Sequence, residues 1–315
     1  MTVLVTGSTG LVGSHVVAAL RAAGQPVRAF EGDVTDPSAW RRGAAGVGAI
    51  VHTAALVAQH VPFAEFERVN VGGTRLAVET ARSTGARLVH MSSASVYGRQ
   101  EAFAAGRGAV HEGFPLTALP ETDFYARSKR LSEEVVRDSG LPAVAIRSNV
   151  IYGERDRLFT PRVIATMRLR VLPRIGNGTN HLSCVYAGNV ASAIVAALVK
   201  ETPPPRFRVY NVTHDAPPAL TEREFIAAFA EAMGVSIVRI PVPVFVARLG
   251  ARLRARWLRW RDPVKYAGLS GAAVGFIMGE NPYTDARVQQ ELGWTPPFDT
   301  RTAIRRAVAA TPGLR

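Results

Sequence analysis

The order of apolar and polar residues along the chain predicts alternating strands and helices. Short apolar runs rich in β-branched residues predict strands at 3–7, 27–30, 48–55, 87–93 and 142–149. Between them, apolar residues at helical spacing predict helices, among them 11–24, 74–85 and 122–136. This alternation indicates the α/β class, a doubly wound parallel sheet of the Rossmann type with helices on both faces.

The first strand and the first helix are joined by a glycine-rich loop of the pattern G-x-x-G-x-x-G, residues 7–13. Gly7 permits a tight turn, Gly10 lets the backbone approach a pyrophosphate, and Gly13 lets the helix pack close to the strand. The positive end of the helix then faces the phosphates. A glycine triplet placed between a strand and a helix predicts dinucleotide binding.

The connection after the second strand is unusually short. Only Glu31 and Gly32 separate it from the segment 33–36, whereas a crossover to another parallel strand takes about a dozen residues or more. Either the edge unit is trimmed or a loop is missing from the chain. The end of the second strand normally contacts the adenosine ribose, so Glu31 would favour NAD and Arg28, facing a 2′-phosphate, would favour NADP. These alternatives stay open at this point.

Composition narrows the class of protein. The chain of 315 residues is 47% hydrophobic and 20% charged, as in an ordinary globular protein. Cys184 is the only cysteine and the histidines lack metal-ligand spacing, so we expect neither disulfides nor a metal site. Without a leader segment or an apolar run of about 18 residues, we expect a cytoplasmic location.

The net charge of +13 raises the question of nucleic-acid binding. Arginine supplies almost all of the positive charge, and basic and aromatic residues interleave only at 248–261. We therefore expect no nucleic-acid partner.

The helix predicted at 122–136 carries Tyr125 four residues before Lys129, which places both on one helix face. A neighbouring ammonium stabilises a phenolate, so such a tyrosine would be a stronger acid than usual. Structural pairs of this spacing are common, and the pair alone is only a candidate for acid–base chemistry.

Further motifs follow one another along the chain: VTGSTGLVG (5–13), HTAA (52–55), NVGGT (70–74), SSASVYG (92–98), YARSK (125–129) and RSNVIYG (147–153). On these motifs the chain resembles the extended short-chain dehydrogenase/reductase family, the NAD-dependent epimerase/dehydratase type. The resemblance implies a dinucleotide-binding domain at 1–153, to which 181–214 return. A smaller, mostly helical substrate domain would comprise 154–180 and 215–315, and a homodimer is the family expectation.

The resemblance also implies a Ser–Tyr–Lys catalytic site. Ser93 takes the place of the family's catalytic serine, and Tyr125 that of its proton donor and acceptor. Lys129 would lower the pKa of Tyr125 and bind the nicotinamide ribose. Asn70 is either a cap at a helix start or a polar brace near the cofactor.

The cofactor is expected to be NAD or NADP. The contacts expected for it are Gly7, Ser8, Thr9, Gly10, Leu11, Val12, Gly13, Arg28, Glu31, Asp33, Val34, Thr53, Ala54, Ala55, Asn70, Tyr125 and Lys129.

The substrate class follows from a departure at Val150. Nucleotide-sugar enzymes of the family usually carry asparagine there, and Asn149 is one residue out of phase on a strand. The chain looks more like the 3β-hydroxysteroid dehydrogenase-like branch, which implies a bulky apolar substrate, sterol-like or a long-chain 3-oxo or 3-hydroxy acid. The alternatives are a nucleotide-sugar epimerase or dehydratase and a non-catalytic dinucleotide-binding regulator.

An apolar stripe runs through the segment 241–263, with six arginines between 248 and 261. The stripe consists of Val242, Val244, Phe245, Leu249, Leu253, Trp257 and Trp260. Most such stripes face a protein core, which is the leading interpretation. The alternatives are a substrate lid or dimer contact, and peripheral contact with an acidic membrane surface.

Overall fold

The computed structural model describes residues 1–57, 61–98, 109–200, 206–261 and 272–311. The strands in these ranges are β1 (Val3–Thr6), β2 (Val27–Ala29), β3 (Ala49–His52), β4 (Arg87–Met91), β5 (Ala143–Arg147), β6 (Val150–Tyr152), β7 (Val171–Ile175), β8 (Cys184–Tyr186), β9 (Phe207–Asn211) and β10 (Val238–Val242).

The helices in the same ranges are α1 (Leu11–Ala22), α2 (Pro37–Gly43), α3 (Phe63–Phe66), α4 (Gly73–Thr84), α5 (Phe124–Asp138), α6 (Thr160–Met167), α7 (Ala187–Val199), α8 (Glu222–Ala232), α9 (Val244–Arg261), α10 (Ala272–Met278), α11 (Ala286–Leu292) and α12 (Thr300–Ala309). A π-helical turn, Glu67–Gly72, joins α3 to α4, and a 3₁₀ turn, Ala94–Tyr97, follows β4. No helix in the described ranges is both long enough and apolar enough to cross a bilayer.

Six parallel strands form the central sheet, in the order β2-β1-β3-β4-β5-β9. Side chains that alternate along each strand enter two apolar clusters, one on each face of the sheet. Helices α1 and α7 cover one face, and α2, α4 and α5 cover the other. The predicted doubly wound sheet is confirmed.

The edge of this sheet is trimmed at β2. The chain leaves Ala29, caps α2 with the Asp36 carboxylate, and enters β3 on the other side of β1. Trp40 of α2 replaces the missing crossover unit, since its ring packs 4.7 Å from that of Phe30 and its indole N–H donates to the carbonyl oxygen of Val34 at 2.8 Å. In the structure this local packing closes the short connection, and β2 is the edge strand of the central sheet among the described residues.

Outside the central sheet, two short parallel sheets support the C-terminal half. One pairs β6 with β8 and the other pairs β7 with β10. Helices α6, α8 and α12 pack around a third apolar cluster, and Thr221 begins α8 with a reciprocal capping box to Glu224.

The predicted core position of the stripe in 241–263 is wrong for its five large residues on α9, whereas Val242 and Val244 are half-buried. Phe245, Leu249, Leu253, Trp257 and Trp260 of α9 are all more than half exposed. The helix instead buries Ala255. Helical periodicity identified the apolar stripe correctly, but it could not show whether the stripe or the opposite alanine face packs against the protein. Alanines also allow close packing of a helix.

A buried ion pair fixes helix α5 to the central sheet. The Arg147 guanidinium at the end of β5 binds the Glu133 carboxylate through two nitrogens, one of them at 2.9 Å. The Ser92 hydroxyl donates to the same carboxylate at 2.6 Å. Because both charged side chains are about 5% exposed, loss of one partner leaves an uncompensated charge in the interior.

We predict that Glu133→Ala lowers the free energy of unfolding by about 3–5 kcal/mol, because Arg147 loses its counter-ion. Asp138→Ala removes an exposed ion pair with Arg137 from the same helix and should cost less than about 0.5 kcal/mol. Urea denaturation of both variants measures the difference. Equal costs would show that the buried pair does not hold α5.

Candidate active site

The glycine loop forms a tight cradle between β1 and α1. Gly7 has φ +64°, and an added Cβ would lie 2.9 Å from the Ala54 nitrogen. A Cβ on Gly13 would lie only 2.1 Å from the Gly7 carbonyl oxygen, so only glycine fits there. Helix α1 has no acidic residue in its first turn and no side-chain cap on its N–H groups. The turn therefore fits a dinucleotide pyrophosphate, with Gly10 exposed beside the helix end.

The segment after β3 is held beside this loop. The Thr53 hydroxyl donates to the Thr6 carbonyl oxygen at 2.6 Å, and the Ala54 nitrogen donates to the Thr6 hydroxyl at 3.2 Å. Thr53 and Ala54 thus lie against the turn that begins the glycine loop, and Ala55 directly follows them.

Asn70 joins three segments near the site. Its side-chain oxygen accepts from the Leu56 nitrogen at 2.7 Å, and its amide nitrogen donates to the Ser128 hydroxyl at 2.9 Å. The residue is buried inside the π-helical turn, so the alternative of a cap at a helix start is wrong. Asn70 is a brace between the segment after β3 and helix α5.

The side chains of Ser93 and Tyr125 lie close enough that the Ser93 hydroxyl lowers the pKa of the Tyr125 phenol. Ser93 follows β4 at the carboxyl edge of the sheet, and its hydroxyl oxygen also accepts from the Ser95 hydroxyl at 2.9 Å. Tyr125 comes from the first turn of α5, which Asp123 caps. Two elements thus bring the two hydroxyls together at the edge where ligands of open α/β sheets bind.

Lys129 lies on α5 four residues after Tyr125 and is almost fully buried. Its ammonium donates to the Met91 carbonyl oxygen at 2.7 Å. Burial lowers the pKa of Lys129 to about 8, because the interior penalises its charged form.

The pKa of Tyr125 differs from the sequence expectation. Burial raises the pKa of Tyr125 above its ordinary value, the nearby Ser93 hydroxyl opposes this, and the Asp123 charge raises the pKa further. Since the pKa of Lys129 is about 8, the amine is largely neutral at the pH at which the phenol ionises. The expected lowering by Lys129 is therefore not present among the groups of the chain itself.

Two buried histidines were missed as part of this environment. His52 and His90 are paired residues on β3 and β4, with ring centroids 5.8 Å apart. Burial lowers the pKa of His52 to about 3 and that of His90 well below its usual value, and the Lys129 charge adds to both effects. The signal was in the sequence, because each histidine occupies the same place near the end of its strand.

The adenosine-side candidates do not converge in the same way. The Arg28 guanidinium donates to the Gly43 and Ala45 carbonyl oxygens at 2.9 and 2.6 Å, so it is engaged at the end of α2. Asp33 lies 3.7 Å from Arg68, and the Thr35 N–H chiefly lowers the pKa of that carboxyl.

The remaining adenosine-side residues differ in exposure. Glu31 is exposed, whereas Val34 is buried against α2 and α4. Arg68, which also donates to the Thr35 hydroxyl at 2.9 Å, was missed because it comes from the distant π-helical turn.

Asn149 is also engaged elsewhere. Its amide nitrogen donates to the Thr213 carbonyl oxygen at 2.9 Å and to the Ser183 hydroxyl at 3.2 Å. Among the described residues, no cluster of three or more histidine, cysteine or acidic side chains is arranged to hold a metal ion.

Residues 3–213 match the model of the NAD dependent epimerase/dehydratase family. The chain belongs to this family. It is accordingly an NAD(P)-dependent oxidoreductase of the short-chain dehydrogenase/reductase type, and the glycine cradle and the Ser93, Tyr125 and Lys129 cluster lie within the matched region.

Three relatives align with almost the whole length of this chain. A 4-hydroxy-2-methyl-3-oxo-4-farnesyl-3,4-dihydroquinoline-1-oxide ketoreductase of Stigmatella aurantiaca is 28% identical over 93% of this chain and 92% of its own. A 2-alkyl-3-oxoalkanoate reductase of Stenotrophomonas maltophilia is 27% identical over 99% of both chains. The mouse decarboxylating sterol-4-alpha-carboxylate 3-dehydrogenase is 28% identical over 99% of this chain and 91% of its own.

The fold of the enzyme is also that of solved structures. The UDP-glucose 4-epimerase of Thermus thermophilus, in complex with NAD, superposes with a TM-score of 0.71 at 24% identity and 99% coverage of both chains. At this identity the likeness concerns the fold alone.

We predict that Gly13→Ala weakens NAD(P)H binding at least about tenfold and lowers thermal stability, because the new Cβ meets backbone at 2.1 Å. Gly250→Ala is the control, since it adds the same methyl to a helical glycine with open space. Fluorescence titration and thermal denaturation check both variants. Unchanged affinity in Gly13→Ala would contradict the cradle.

Lys129 makes the stability of the enzyme depend on pH. Because its folded pKa is about 8 and its ordinary value is 10.5, the unfolded chain binds more protons between these values, and the free energy of unfolding rises with pH there. We expect wild type to gain about 2 kcal/mol over Lys129→Met between about pH 7.5 and about pH 9.5. Denaturant titrations at both pH values measure this, and a constant difference would mean that Lys129 is not destabilised by burial.

Proposed function

We propose that the enzyme interconverts a ketone and a secondary alcohol on a bulky apolar substrate, either sterol-like or a long-chain 3-oxo or 3-hydroxy acid. The observation that carries the reaction type is that Ser93, at the carboxyl edge of the sheet, lies close to Tyr125 of α5, the helix that also carries buried Lys129. The substrate class is supported by the ketoreductase, oxoalkanoate reductase and sterol dehydrogenase relatives, and by Val150 at the family's usual asparagine position.

Tyr125 and Ser93 have separate roles in this proposal. Both hydroxyls bind the substrate oxygen, Tyr125 donates a proton to it during reduction, and Ser93 keeps it oriented. When bound, the nicotinamide cofactor would supply the hydride for reduction and would accept it in the reverse direction. The oxygen gains its proton as the carbonyl carbon gains its hydride, so the alcohol leaves neutral.

Lys129 has a supporting role in this proposed reaction. It lies four residues after Tyr125 on α5, and its ammonium donates to the Met91 carbonyl oxygen at the end of β4. We expect Lys129 to bind the nicotinamide ribose and to favour the phenolate of Tyr125 when the amine is charged.

The segments 154–180 and 215–315 shape the substrate pocket in this proposal, and the segments 1–153 and 181–214 form the dinucleotide-binding domain beside it. The homodimer and the cytoplasmic location stay predictions.

We predict that Tyr125→Phe lowers turnover by about 10²–10⁴-fold, because the proton donor is lost while the ring remains. Cofactor affinity should stay within a few fold. Tyr210→Phe is a matched control, since Tyr210 donates to Glu291 at 2.9 Å far along the chain from the site and should keep its turnover. Oxidation or formation of NAD(P)H is followed with 3-oxo sterols, long-chain 3-oxo acids and UDP-glucose.

The substrate panel separates the alternatives. Turnover of an apolar ketone that persists in Tyr125→Phe contradicts the assigned roles. Conversion of UDP-glucose with no net change in NAD(P)H, and no activity on apolar ketones, contradicts the substrate class and favours an epimerase.

A further inference from the structure

Helix α9 has two unlike faces, and the smaller side chains meet the protein. Ala247, Ala251 and Ala255 follow one another at spacings of four residues and are half-buried or buried. The opposite side presents Phe245, Leu249, Leu253, Trp257 and Trp260, and the exposed fractions of Phe245 and Trp260 are 72% and 79%. The helix is thus attached through its small residues and leaves its large apolar residues exposed.

Arginines border the exposed stripe on both sides. On a helical projection Arg248, Arg252 and Arg256 fall along one border, and Arg254 and Arg261 fall along the other. All five are exposed, and α9 contains no acidic residue. An apolar stripe between two rows of arginines suits the boundary between the acyl chains and headgroups of a bilayer, where long basic side chains reach the phosphates.

A second exposed apolar surface lies directly before this helix. On the two-stranded sheet, Val238 and Ile240 of β10 pair in register with Val171 and Pro173 of β7, and all four residues are exposed. Only Pro243 separates β10 from α9. Large exposed apolar surfaces are rare on soluble monomers and mark interaction sites.

We propose that α9 and the exposed face of the β7–β10 sheet, together called the docking surface, bind the surface of an anionic lipid bilayer. The positive charge of α9 favours an anionic bilayer over a second copy of the chain as the partner of the docking surface. A self-contact would bring the arginine rows of two copies together with no acid from either α9 to offset them. Anionic headgroups supply the missing negative charge, and tryptophans suit the headgroup level.

Vesicle flotation tests the proposal with the full chain. Wild type should float with vesicles of phosphatidylcholine containing about a third phosphatidylglycerol, and bind at least about tenfold less to phosphatidylcholine alone. Raising the salt from about 0.1 M to about 0.5 M should weaken binding several fold, because it screens the arginine contribution.

Two variants separate the apolar and charged contributions. Trp257→Ser with Trp260→Ser should reduce binding to anionic vesicles at least about tenfold, and Arg252→Glu with Arg256→Glu should abolish the preference for anionic lipid. Val199→Ser is the apolar control, since Val199 at the end of α7 is 70% exposed outside the docking surface. Arg75→Glu on α4 is the control for charge, and both controls should bind like wild type.

Thermal denaturation and sedimentation velocity accompany each variant, so that unfolding is not taken for lost binding. The proposal is overturned if wild type does not float with anionic vesicles, or if folded tryptophan and arginine variants float as well as wild type. If wild type does not float and is a dimer that the tryptophan substitutions convert to monomers, the docking surface is instead a self-association interface. Loss of turnover in Tyr125→Phe has no bearing on flotation, so the proposed reaction and the docking surface fail separately.

Discussion

The attachment of helix α5 to the sheet determines whether a site exists at all. Two buried contacts secure it, one from Glu133 to Arg147 at the end of β5 and one from Lys129 to the Met91 carbonyl oxygen at the end of β4. Both contacts reach the carboxyl edge of the sheet, which places the first turn of α5 above it. Tyr125 consequently meets Ser93. A shift of one helical residue would turn the phenol away from the serine.

The same attachment brings charged groups into a low-dielectric interior, which sets their chemistry. The Glu133–Arg147 pair is compensated and satisfied by further hydrogen bonds. The Lys129 ammonium donates to a carbonyl oxygen and is almost fully buried, and burial lowers its pKa to about 8. His52 and His90 stay neutral beside it, and neither ring nitrogen of His90 has a hydrogen-bond partner among the described residues. The lysine therefore titrates close to neutral pH.

The edge of the sheet beside β2 is closed by side-chain packing and not by a further strand among the described residues. Packing of Trp40 on Phe30 closes the edge beside β2, and the glycine cradle on β1 keeps its geometry. On the adenosine side, by contrast, the candidate cofactor contacts are engaged with other groups of the protein. Arg28 is engaged by backbone carbonyls, and Asp33 pairs with Arg68 from a different segment. The best-defined part of the site is thus the glycine cradle, which the backbone itself forms.

Local sequence determined the strands, the glycine turn and the order of motifs, because strand alternation and the positive φ at Gly7 depend on neighbouring residues alone. The family resemblance named Ser93, Tyr125 and Lys129, but the lowering of the Tyr125 pKa that it implied is opposite to the direction in the structure. That direction depends on burial, which only tertiary packing determines. Packing likewise decided that α9 presents its large apolar face outward. A helical stripe specifies a face, whereas the surface that covers it comes from elsewhere in the chain or from outside it.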